Sequence, residues 1–144
     1  AAYCIKVIGG TDEATAAKSV TDRFHDRGID AIYHDQSTSQ LLLVQSKWSD
    51  GIKWNDAGEF ADGVRKLITA NWQSFSANKK IFDRRNELDI ALRSAAKILL
   101  ITVHHGPNPA DKGVLKRISD LAEEIDGGSG LANARHWHQS HLLD

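Results

Sequence analysis

Apolar positions along the chain recur with two periods, and their alternation sets out an order of elements. Over residues 1–8, Ala1, Cys4, Ile5 and Ile8 share one face of a helix that Gly9 and Gly10 stop. Thr11 stands at an N-cap position, Asp12 and Glu13 suit a first helical turn, and Ala14, Ala16 and Ala17 carry a short second helix. Residues 20–28 are polar and aperiodic and close on Gly28, which predicts a loop. Residues 29–35 and 41–48 are two β-prone runs separated by Gln36-Ser37-Thr38-Ser39, a polar turn of hairpin length. Both runs are strongly apolar, so the hairpin is expected in the middle of the molecule with little of it facing water.

Residues 49–54 form a further loop, after which Asn55 or Asp56 is expected to cap a helix, the latter with Glu59 three residues on. Phe60, Val64, Leu67 and Ile68 mark its buried stripe. A helix over 79–96 buries Phe82, Leu88, Ala91, Leu92 and Ala95, and the run ILLITV at 98–103 fits a buried strand followed by the loop HHGPNP. Pro109 after Asn108 is placed to open a last helix with Val114, Leu115, Ile118, Leu121, Ala122 and Ile125 inside, ended by Gly127 and Gly128. The GGSG at 127–130 has the composition of a flexible linker. The order α-α-β-β-α-α-β-α specifies an α/β fold, a small mixed β-sheet flanked by helices.

Composition narrows the partners. At 144 residues the chain has the length of one domain, with 41% hydrophobic and 26% charged residues, near the average for folded proteins. Eighteen basic residues against nineteen acidic give a net charge of -1, so no global positive field gathers nucleic acid and any polyanion must meet a local patch. The single cysteine, Cys4, argues for a reducing compartment, and with no signal peptide and no membrane-spanning run a cytoplasmic location is expected. The chain starts at Ala1 and has no methionine, so the expectation is one domain of a longer protein.

The chemistry concentrates in the hairpin. A turn centred between Ser37 and Thr38 pairs Asp35 with Gln40, Ile32 with Leu43 and Asp30 with Gln45. Opposed Cβ atoms in such pairs lie about 4.5 to 5.5 Å apart, near enough for a carboxylate and an amide oxygen to share one ion. Lys47, two residues beyond Gln45, projects from the same face. An acid, an amide oxygen and a lysine suit a hard cation such as magnesium, which polarises phosphate and acidifies bound water. The same residues also fit a plain strand end, with Asp30 closing a turn and Lys47 snorkelling.

The aspartate at 30, glutamine at 45 and lysine at 47, preceded by the string HDRGID, resemble the PD-(D/E)XK nuclease fold in the QxK variant associated with Mrr-like restriction endonucleases. The strings DRGIDAIYHD and LLLVQSKWSDG are also similar to the N-terminal region of AIPR abortive-infection proteins. The match covers roughly residues 1–103 in order, with specific motifs in the hairpin alone. The resemblance implies a restriction-endonuclease-like core and a magnesium-dependent endonuclease acting on DNA in restriction or antiviral defence, with manganese as a substitute. Asp30 and Gln45 would be the metal ligands and Lys47 the catalytic lysine. It also implies a further acid, for which Glu13, Asp26 or a residue before Ala1 are the candidates, and a homodimer is one expected assembly. The rival expectation is a catalytically inactive module of the same fold that binds nucleic acid or a partner protein.

Other side chains carry weaker signals. Lys79, Lys80, Arg84 and Arg85 lie in a segment with a local positive excess that suits nucleic-acid phosphates, although such an excess is usually a solvated helix face. His104 and His105 follow the buried strand, and His34 sits in the hairpin, where strand-closing polar residues are the commoner case. His136, His138 and His141, set on a helix, do not converge on zinc. Trp48, Trp54 and Trp72, with Phe75, fit half-buried core or an interface better than base stacking.

Overall fold

The computed structural model describes residues 2–21, 27–47 and 51–138, His138 in its backbone alone. Strands β1 (Ala31–Asp35), β2 (Gln40–Lys47), β3 (Lys97–His104) and β4 (Ala132–His138) form one sheet in the order β1-β2-β3-β4. β1 and β2 make the expected antiparallel hairpin, while β2, β3 and β4 run parallel. The helices are α1 (Ala2–Gly9), α2 (Glu13–Lys18), α3 (Trp54–Ile68), α4 (Lys79–Phe82), α5 (Arg85–Ser94) and α6 (Lys112–Asp126), with a 3-10 turn at Trp72–Phe75. The fold is α/β, a small mixed sheet flanked by helices. Parallel neighbours need long crossovers, supplied by α3 to α5 between β2 and β3 and by α6 between β3 and β4.

Both faces of the sheet are covered, which is why β2 and β3 are apolar without alternation. Leu41, Leu43, Ile98 and Leu100 pack with Phe60, Val64 and Leu67 of α3, Leu88 of α5 and Ile118 of α6. Leu42, Val44, Leu99 and Ile101 face the other way, onto Cys4 and Ile5 of α1 and Ala16 of α2. Each fully buried Leu, Ile or Phe contributes about 1.5–3 kcal/mol relative to exposure. No helix among the described residues is long and apolar enough to cross a membrane.

The structure corrects several expectations. The hairpin is not central as a whole: β2 lies inside the sheet, but β1 is its edge, flanked by a bridge from Val20 to Ala31. The helix expected over 79–96 is broken between α4 and α5 at Asp83 and Arg84, where the Arg84 guanidinium donates to the Ile32 carbonyl at 3.0 Å. α3 opens at Trp54, so Asp56 lies inside its first turn and accepts from the Lys53 N–H at 3.0 Å. α6 is capped by Asp111, whose carboxylate accepts from the Val114 N–H, and not by Asn108.

The largest miss is β4. GGSG is no loose tether but a turn: Gly127 takes the left-handed C-cap of α6, and Asp126 accepts from the Ala132 N–H at 2.8 Å. The residues 136–138 are therefore strand, not helix.

Candidate functional site

The parallel strands end together, and their register aligns Gln45 of β2 with Thr102 of β3 and His136 of β4, and Lys47 with His104 one step further on. Residues two apart on a strand share a face, so these continue the alternation of Leu41, Leu43, Ile98 and Leu100 and emerge on the α3 side. They crown the carboxyl ends of the strands, where open α/β sheets place their ligands.

Gln45 is buried, with 1% of its surface exposed. Its Nε2 donates to the Asp56 carbonyl of α3 at 2.8 Å. No described residue donates to Gln45 Oε1. A buried carbonyl oxygen left so costs about 1–3 kcal/mol, and it is open to an electropositive partner.

Asp30 stands immediately before β1. The register of β1 with β2 follows the predicted turn, Asp35 opposite Gln40 and Ile32 opposite Leu43. At Asp30 the ladder steps by one residue: its N–H donates to the Val44 carbonyl at 2.7 Å, and its own carbonyl accepts from the Thr21 N–H at 2.8 Å. The carboxylate turns onto β2, where Oδ2 accepts from the Ser46 N–H at 2.7 Å. Instead of the flat cross-strand pair that the turn geometry implies, Asp30 is tied to the backbone between Gln45 and Lys47.

Lys47 leans the other way, its Nζ 3.5 Å from Asp56 Oδ1, with both side chains partly exposed. Asp56 is the residue that sequence reasoning missed at this site: its carbonyl holds Gln45, and its carboxylate faces Lys47 and caps α3. Two glycines let the chain before Asp30 lie on that helix. A Cβ on Gly63 of α3 would sit 2.1 Å from the Arg27 carbonyl, and one on Gly28, at φ +78°, 2.8 Å from the Phe60 nitrogen.

The remaining candidates separate. Glu13 does not reach the site, because α2 covers the opposite sheet face and the exposed Glu13 carboxylate pairs with Lys6 at 2.8 Å. That bond holds the carboxyl below its ordinary range. Asp26 lies outside the described residues, as do His25, Trp48 and His141. Lys79, Lys80 and Arg84 line a cleft of about 320 Å³ with Lys18, Val20 and Asp83. Arg85 is turned aside, its guanidinium 4.2 Å over the Phe82 ring and bonded to the Phe82 carbonyl. Val20 of the cleft bridges Ala31, the residue after Asp30, and Asn78 beside α4 donates to the Thr21 carbonyl. Trp72 packs on buried Phe75, whereas Trp54 is not half-buried core as expected: its side chain is exposed, with the Arg117 guanidinium 4.3 Å over its ring.

His104 is fully buried and His136 lies beside it, Nδ1 of the former 2.8 Å from Nε2 of the latter. His136 Nδ1 is 2.7 Å from the Thr102 hydroxyl, and His104 Nε2 is 2.7 Å from the Asn108 carbonyl. His105 is held below the ordinary histidine range, chiefly by burial.

The class defined so far is an α/β domain with an acid, amide and lysine cluster at the carboxyl edge of its parallel strands. Compared with protein-family models, curated proteins and solved structures, the chain matches none.

Proposed function

We propose that the chain is a magnesium-dependent DNA endonuclease domain of the PD-(D/E)XK type, in its QxK variant, serving restriction or antiviral defence in the cytoplasm. The observation that carries this reading is the buried Gln45 Oε1, to which no described residue donates, on a strand whose next residue, Ser46, binds the Asp30 carboxylate and whose next but one is Lys47. Hard cations take oxygen ligands, so Asp30 and Gln45 fit magnesium, and manganese in its place, better than zinc. The ion would supply Lewis acidity to the scissile phosphate and to a bound water. Lys47, steered by Asp56, stabilises charge developing on the phosphate and orients the attacking water. Lys18, Lys79, Lys80 and Arg84 fit the flanking backbone: the three lysines make no ion pair among the described residues, and their cleft includes Val20, which bridges Ala31 next to Asp30.

A second reading has its own observation. Among the described residues no three acidic, histidine or cysteine side chains cluster as a metal site. A nuclease-fold module that binds DNA or a partner protein without cutting accords with one secure acid. Plasmid cleavage by the full chain, with and without magnesium and for Lys47→Ala, decides between them. Magnesium-dependent cleavage abolished by Lys47→Ala is expected; binding without cleavage supports the inactive module, and cleavage unchanged in the variant rejects the role of Lys47.

A further inference from the structure

The hydroxyl next to Gln45 in its row is that of Thr102, yet it leaves Gln45 Oε1 without a donor. The histidines explain this. The Asn108 carbonyl can only accept, so His104 Nε2 carries a proton and donates to it. With both rings neutral, His104 Nδ1 is then an acceptor, and His136 Nε2 must donate across the 2.8 Å between them. His136 Nδ1 is left as an acceptor, so the Thr102 hydroxyl donates to it at 2.7 Å. The two rings are 25° from coplanar with centroids 4.9 Å apart, the arrangement of imidazoles joined edge to edge. One backbone carbonyl in the loop after β3 thus fixes the direction of three consecutive bonds.

We propose that the chain Asn108, His104, His136 and Thr102 is a polarity lock on the Gln45 site. It holds the Thr102 proton toward β4, so the hydroxyl cannot cap Gln45 Oε1, and that oxygen stays available to a cation. Thr102 and His136 are positioning residues and touch no substrate. The last step rests on Gln45 being a metal ligand; the bond directions do not.

Two measurements on the full chain test it. Long-range 1H–15N spectra of the imidazoles near pH 8, without metal, are expected to show neutral Nε2–H tautomers for both His104 and His136. An Nδ1–H tautomer or an imidazolium on either ring overturns the lock. Magnesium titration by calorimetry is the second. His136→Phe removes the acceptor and lets Thr102 turn to Gln45 Oε1, so affinity is expected to fall about ten-fold. Thr102→Val with His136→Phe removes the competing hydroxyl and is expected to restore affinity to within about two-fold of wild type. Equal weakening in the single and double variants overturns the lock. Unchanged magnesium affinity in Gln45→Ala would sink the metal reading instead, and the tautomers then decide the lock on their own.

Discussion

Gln45 and Asp56 are joined where β2 meets α3: the glutamine amide donates to the Asp56 carbonyl at 2.8 Å, while the Asp56 carboxylate faces Lys47 two residues further along the strand. One acidic residue thus sets two of the three side chains of the candidate site, through different atoms.

Asp56→Ala therefore has separable effects. The Lys53 N–H loses its acceptor, which is expected to cost about 1 kcal/mol in urea unfolding, as for other helix-start bonds. The half-exposed pair with Lys47 contributes little to stability. Its effect is on aim, so cleavage of plasmid DNA is expected to fall about ten-fold or more. A variant that cuts at the wild-type rate contradicts the positioning of Lys47 by Asp56.

Gln45→Glu should respond oppositely with and without metal. A carboxylate oxygen replaces Nε2 opposite the Asp56 carbonyl, so a hydrogen bond becomes a repulsion between two acceptors and stability in chelator is expected to drop by about 1–3 kcal/mol. The added charge strengthens a magnesium site, so magnesium is expected to raise the thermal midpoint more in the variant than in wild type. No response to magnesium in the variant argues against position 45 as a ligand.

The hairpin register was legible because turn length and alternation fix it together: Asp35 opposite Gln40 and Ile32 opposite Leu43 follow from the four-residue turn. Gln45 and Lys47 were legible as a polar ending on an apolar strand. Asp30 was legible as a residue but not in its geometry, since the edge bridge from Ser19, Val20 and Thr21 comes from a segment whose sequence shows no strand pattern. Asp56 reads locally as a helix cap, and its reach to β2 is a tertiary fact. β4 was missed because glycine-rich residues of linker composition precede it and its histidines were set on a helix; the clue was the period-two spacing of Ala132, Ala134 and His136, which share one face.

Gly63→Ala tests how the Asp30 segment is held. An exposed helical Gly→Ala change usually stabilises by about 1 kcal/mol. Here the new methyl would lie 2.1 Å from the Arg27 carbonyl, backbone that must move with Gly28 and Asp30 behind it. A net loss of about 1–3 kcal/mol is expected, read as a lower urea midpoint. If the glycine were an ordinary helix position, the variant would be more stable than wild type.

Cys4 should give the protein an alkaline sensitivity. The thiol is buried under β2 on the α1 side, and that burial pushes its pKa from 9.0 up to about 11. Between these values the unfolded chain gives up the thiol proton while the folded chain retains it. Stability that is complete below pH 9 is therefore lost as pH rises toward 11. The full effect is on the order of 2–3 kcal/mol for a shift of this size. Cys4→Val keeps the volume and the apolar contacts but has nothing to ionise. Urea unfolding at pH 8 and pH 10.5 is expected to show a larger loss for wild type than for Cys4→Val, with native Cys4 slow to alkylate at pH 8. Equal losses in the two proteins, or prompt alkylation of the native thiol, would mean that α1 does not hold Cys4 out of water.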